Sequence, residues 1–111
     1  MVLGRGSRPA GIATVQLDGD PRSDLAVTDS ASAQVVLLAS IPFPVPGIVV
    51  AIFAPPVFCD VGRSPQGLST ADFNGDSIDD LAVANRKSNS VSILLGDGIG
   101  ASCPPTTEIF P

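Results

Sequence analysis

The sequence predicts an all-β fold built from two copies of one small antiparallel unit. Three observations carry this. The run Asp24-Leu25-Ala26-Val27 recurs as Asp80-Leu81-Ala82-Val83, an offset of 56 (80 − 24). Each copy follows an acidic, Gly-containing segment and reads as a short apolar strand. Eleven Gly and eleven Pro in 111 residues punctuate the chain too often for long helices, and no stretch shows a 3.6-residue apolar period.

The offset holds without gaps over some thirty positions. Pro9 meets Pro65, Gly11 meets Gly67, Thr14 meets Thr70, Gly19 meets Gly75 and Asp20 meets Asp76. Further on, Ser32 meets Ser88, Val35 meets Val91 and Leu38 meets Leu94. An internal repeat of this length marks a modular architecture.

In the second unit the elements run in order. Residues 67–73 form a strand that ends in the acidic loop. Residues 81–84 form the next strand and 91–95 the third. The Gly-rich segment 96–100 reads as a hairpin turn. The fourth strand is clearest in the first unit, at 57–61, after the turn Phe53-Ala54-Pro55-Pro56. Four short antiparallel strands per unit are what a β-propeller blade requires. A β-solenoid is the alternative, though its rungs are normally shorter. The predicted organisation is therefore two four-stranded blades, residues 1–56 and 57–111, incomplete as a propeller on their own. The first unit carries an apolar, Pro-rich loop at 41–56, which packs on its own blade or covers a neighbouring subunit.

Two periods of 56 make 112, against 111 residues. By this register the second blade lacks an outer strand within the sequence. An unfinished edge invites pairing, so a neighbouring copy or a continuation of the chain is expected to complete it. Head-to-tail strand completion between copies would give a homo-oligomer or a filament. Three such chains would instead close a six-bladed ring.

Composition limits function. Net charge is −5, and the six basic residues form no cluster, which argues against nucleic-acid binding. The absence of His removes His-based catalysis. The absence of Trp and Tyr removes the usual sugar-stacking platforms. The longest Pro-free run of the apolar region, residues 47–54, is too short to span a bilayer. No Asn-x-Ser/Thr sequon occurs.

The motif richest in chemistry is Asp72-Phe73-Asn74-Gly75-Asp76-Ser77-Ile78-Asp79-Asp80. Oxygen side chains at 72, 74, 76 and 80 suit a small hard cation, with calcium the first choice. The competing reading is an Asp/Asn-rich turn held by side-chain-to-backbone hydrogen bonds. An EF-hand fails, because position twelve would be Val83 and the flanks are strands.

These residues, with Ser90-Val91-Ser92-Ile93-Leu94-Leu95-Gly96 and Phe53-Ala54-Pro55-Pro56, resemble FG-GAP/VCBS-type repeats, the blades of integrin-alpha-like propellers. The resemblance implies extracellular, calcium-binding blades used in adhesion or scaffolding rather than catalysis. It implies ligands from Asp72, Asn74, Asp76, the Ile78 carbonyl and Asp80, with Ser77 standing where the family has Gly. In the first repeat the matching positions are Gln16, Asp18, Asp20, the Arg22 carbonyl and Asp24. There Gln16 is a neutral ligand and Pro21 fixes φ, so the first site is the weaker.

In an extracellular setting Cys59 and Cys103 form either a disulfide, intrachain before interchain, or two buried thiols. At this separation a bridge would stabilise by about 4 kcal/mol in the chain-entropy account. The expected function is a calcium-stabilised, extracellular structural or adhesive protein that self-associates. The alternatives are an oligomeric lectin-like propeller with a glycan ligand, or a piece of a longer secreted adhesin or enzyme-associated propeller with a protein ligand.

Overall fold

A computed structural model describes residues 6–17, 23–40, 53–98 and 103–110. Among the described residues eight strands form two four-stranded antiparallel sheets, each in chain order. The first holds β1 (Pro9–Val15), β2 (Asp24–Asp29), β3 (Gln34–Leu38) and β4 (Val57–Asp60). The second holds β5 (Pro65–Ala71), β6 (Asp80–Asn85), β7 (Ser90–Leu94) and β8 (Thr106–Ile109). Neither closes into a barrel, and no helix occurs among the described residues. The chain is thus all-β, as two propeller-like blades.

One expectation is corrected. The second blade does not lack its outer strand, because β8 pairs with β7. Its position follows from a shorter connection. Cys59 lies opposite Val35, while Ile109 lies opposite Val91. The fourth strands are therefore offset by 50 (109 − 59) rather than 56, and the offset that holds elsewhere points past the last residue. All four residues of β8 are exposed, so the strand carries no alternating apolar signal. In sheet terms the units span residues 9–60 and 65–109, and Val57–Asp60 finishes the first.

The repeat persists in detail. Both first strands begin with Pro at an edge position, where a missing N–H costs no ladder bond. Both show a register shift near that Pro. Each sheet then turns its two faces differently. Ala26, Val35, Leu37 and Cys59 of the first sheet meet Leu81, Val83 and Leu94 of the second in one buried cluster. The opposite face of the first sheet carries Val27, Val36 and Leu38, with Phe53 packed against them. Of the Pro-rich loop, residues 41–52 lie outside the described residues. Its ends are joined by the bridge between Ser40 and Phe53 and by the Ala54 N–H donated to the Ala39 carbonyl.

Polar contacts register the blades on each other. The Thr28 hydroxyl donates to the Gln66 carbonyl at 2.6 Å, and the Thr70 hydroxyl to the Thr14 carbonyl at 2.9 Å. Gly11 permits this approach, since a Cβ there would lie 2.5 Å from the Gln66 carbonyl oxygen. Cys59 and Cys103 form a disulfide with a Cα–Cα distance of 5.4 Å. It joins β4 of the first sheet to the segment leading into β8 of the second.

The turns after β2 and β6 each end in a left-handed residue, Ala33 at φ 56° and Asn89 at φ 49°. Asn tolerates that region and Ala does not. Ala33→Asn should therefore stabilise the protein by about 0.5–1 kcal/mol. Thermal melts should show a rise of roughly 3 °C. A lower melting temperature would contradict the turn geometry.

Candidate metal centre

The acidic loop runs from the end of β5 to the start of β6. Its shape is set by carboxylates that accept backbone N–H groups. Asp72 is exposed and organises the loop. Its Oδ1 accepts from Gly75 N at 2.8 Å and Asp76 N at 3.1 Å, and its Oδ2 accepts from Ser77 N at 2.8 Å. The Ser77 N–H foremost, with those of Gly75 and Asp76, holds the Asp72 carboxyl below its ordinary range. Asp76 Oδ1 accepts from Ile78 N at 3.0 Å. Gly75 and Ser77 adopt φ 77° and 68°. Ser77 thus takes the left-handed conformation for which Gly is suited, and the turn forms without the Gly.

Asp80 stands at the base, 1% exposed. Its Oδ2 accepts from Phe73 N at 2.9 Å, and its Oδ1 from Gly96 N at 2.8 Å. One carboxylate therefore ties the loop before β6 to the chain leaving β7. Gly96 is required there, because a Cβ would overlap the Asp79 carbonyl oxygen. The first blade repeats the device. Asp24, 0% exposed, accepts from Leu17 N at 2.9 Å through Oδ2 and from Ser40 N at 2.8 Å through Oδ1. The Ser40 hydroxyl adds a third bond at 3.1 Å. The sequence pointed to Asp24 and Asp80 as cation ligands and missed this tethering. A signal was present: Asp-Leu-Ala-Val is identical in both copies, while Gln16 and Pro21 depart from Asp72 and Ser77.

The loop brings three of its carboxylates together. Asp72, Asp76 and Asp80 each offer an oxygen, and all three lie within 4.8 Å of one another. Converging carboxylates repel unless a cation or N–H donors compensate. Here N–H donors occupy part of each carboxylate, and every carboxylate oxygen has a second lone pair. The donor set is hard and all-oxygen, and fits calcium. Asn74 is exposed and Ile78 half-buried in the same loop. In the first repeat Asp18, Asp20 and Arg22 lie outside the described residues. The Gln16 backbone N–H donates to Asp79 Oδ2 of the second loop at 2.9 Å, while its side-chain oxygen, the ligand expected from the sequence, is buried without a partner.

A four-stranded antiparallel sheet with an acidic loop between its first two strands defines a propeller-type blade repeat. Residues 64–94 match the FG-GAP repeat family. The match spans β5, the acidic loop, β6 and β7. No curated protein and no solved structure matches the chain.

Two outcomes follow from the loop chemistry. Asp80→Asn keeps the shape but leaves a single acceptor oxygen for two part-buried N–H groups. It should cost about 2–3 kcal/mol in urea unfolding, with chelator present throughout. A loss below about 0.5 kcal/mol would show that the tether contributes little. Asp72 has a lowered folded-state pKa, so its contribution is complete above the unfolded value of about 3.9 and disappears as pH falls through the lower folded value. In chelator, Asp72→Ala should lose stability at pH 7, and its difference from the parent should vanish in strong acid. A difference that grows in acid would contradict the assignment.

Proposed function

We propose that this chain is a non-catalytic, calcium-stabilised repeat module of an extracellular structural or adhesive protein, and that copies self-associate head to tail. The observation carrying the calcium reading is the convergence of Asp72, Asp76 and Asp80 within an FG-GAP repeat. Asp72, Asn74, Asp76, the Ile78 carbonyl and Asp80 would hold the ion. Bound calcium would neutralise the clustered carboxylates and cross-link a loop that backbone N–H groups already shape.

The extracellular reading rests on the disulfide, which persists in oxidising compartments, and on the repeat family. No helix among the described residues is long and apolar enough to cross a membrane. The non-catalytic reading rests on chemistry. The chain has no His, and Asp24, Asp72 and Asp80 are engaged with backbone N–H groups. Because β8 already pairs with β7, association would use sheet faces rather than the missing strand first expected.

Calcium should raise the melting temperature of the purified protein, and EDTA should reverse the rise. At a hundredfold excess over the dissociation constant, the stabilisation is about 2.7 kcal/mol. Asp76→Ala should abolish the calcium response while melting near the parent in EDTA, since the Asp76 side chain accepts one backbone N–H in the loop, that of Ile78, and the substitution keeps the Asp76 N–H bond to Asp72. Identical parent melts with calcium and with EDTA would overturn the calcium reading.

A further inference from the structure

The chain has three asparagines, Asn74, Asn85 and Asn89, and only Asn74 is followed by glycine. That pair carries its own chemistry. The backbone nitrogen of the following residue can attack the asparagine side-chain carbon, and a glycine there has no side chain to obstruct the approach. Asn74 and Gly75 are both exposed, and a Cβ on Gly75 would meet no heavy atom within 4 Å. Water and the reacting groups therefore have room. Asn85 has neither feature: it is 2% exposed, its Nδ2 donates to the hydroxyls of Ser90 and Ser92, and Arg86 follows it. Asn89 is exposed but precedes Ser90, which is buried at the start of β7.

In the folded loop the attacking nitrogen is occupied. The Gly75 N–H donates to Asp72 Oδ1 at 2.8 Å. The Asp76 N–H shares that oxygen, and the Ser77 N–H takes Oδ2. Three successive peptide groups are thus held by one carboxylate, with Gly75 at φ 77°. Attack on the Asn74 side chain requires the Gly75 N–H to be released and its peptide plane to turn. Release gives up a hydrogen bond to a charged acceptor, which is among the stronger kinds.

We infer that Asn74 is a self-modification site, deamidated whenever Asp72 releases the Gly75 N–H. The bond from the Gly75 nitrogen to Asn74 Cγ forms, and the Cγ–Nδ2 bond breaks. The Gly75 proton leaves with the amide nitrogen as ammonia. Water then opens the resulting succinimide, and no electrons are exchanged. Opening at the side-chain carbonyl leaves an aspartate, which adds a carboxylate to the loop that gathers Asp72, Asp76 and Asp80. Opening at the backbone carbonyl leaves an isoaspartate, which routes the chain through Cγ and displaces the N–H groups that Asp72 collects. Either product turns a transient opening of the loop into a permanent mark. Asp72 is the positioning residue that protects against it.

Incubation of the full chain in mildly alkaline EDTA, with peptide mapping by mass spectrometry, tests this without calcium. In urea the parent should deamidate at Asn74 ahead of Asn85 and Asn89. Folded, it should do so about tenfold more slowly or better, the factor set by one hydrogen bond to a charged acceptor. Asp72→Ala, checked for folding by far-UV circular dichroism, should recover most of the unfolded rate. Asp72→Asn keeps an acceptor oxygen and should lie between. Asp76→Ala keeps all three N–H bonds to Asp72 and should match the parent. If Asp72→Ala unfolds, the comparison of Asp72→Asn with Asp76→Ala decides. Equal folded and urea rates in the parent, or Asp72 variants no faster than Asp76→Ala, would overturn the protection. Faster conversion at Asn85 or Asn89 in urea would overturn the site.

Discussion

A buried aspartate carboxylate accepting two remote backbone N–H groups is the interaction on which each blade depends. Asp24 and Asp80 open the second strand of their sheets, and each is at most 1% exposed. Each reaches back seven residues to the loop it follows and forward sixteen to the chain leaving the third strand. A carboxylate has four acceptor sites and can hold both segments at once, which a neutral amide oxygen and nitrogen cannot. Charged acceptors also make the stronger hydrogen bonds. The cost of burying the charge is met by donors on both oxygens.

That tether determines what the acidic loop can become. With Asp80 fixed at the base, Asp72 gathers three further N–H groups, and the loop closes over the carboxylates of Asp72, Asp76 and Asp80. The loop is shaped by hydrogen bonds, and the same oxygens keep lone pairs for a cation. The turn reading and the metal reading are therefore compatible rather than exclusive. The two loops are also linked directly, through the Gln16 N–H on Asp79. A change in the second loop bears on the contact between the blades, alongside the Thr28 and Thr70 hydroxyl bonds.

Much of this was legible in the sequence because it is repeated. The 56-residue offset located six of the eight strands and exposed the inequality of the two acidic segments. Pro9 and Pro65, and the shared Asp-Leu-Ala-Val, reported real geometry. The eighth strand was hidden for two physical reasons: Thr106–Ile109 is exposed throughout, and its connection is shorter than the one before β4. The tethering by Asp24 and Asp80 was hidden because their N–H partners are backbone groups of residues without a shared side-chain chemistry. Ala33 was hidden because nothing about Ala signals a left-handed turn. The Cys59–Cys103 bridge stood open between a disulfide and free thiols until the strands brought the two together.

The same repetition leaves Ala84, Val91, Ile93 and Ile109 of the second sheet partly exposed, since the matching face of the first sheet is the one the second covers. Yet everything beyond a single blade presupposes that the tether holds. Native-state hydrogen exchange of the Leu17, Ser40, Phe73 and Gly96 amides measures it directly. These amides lie outside the strands and donate to Asp24 or Asp80. They should exchange as slowly as the amides of β2 and β6, opening only with the blade, and should do so in EDTA as well as in calcium. Exchange at the rate of exposed loop amides would contradict the account.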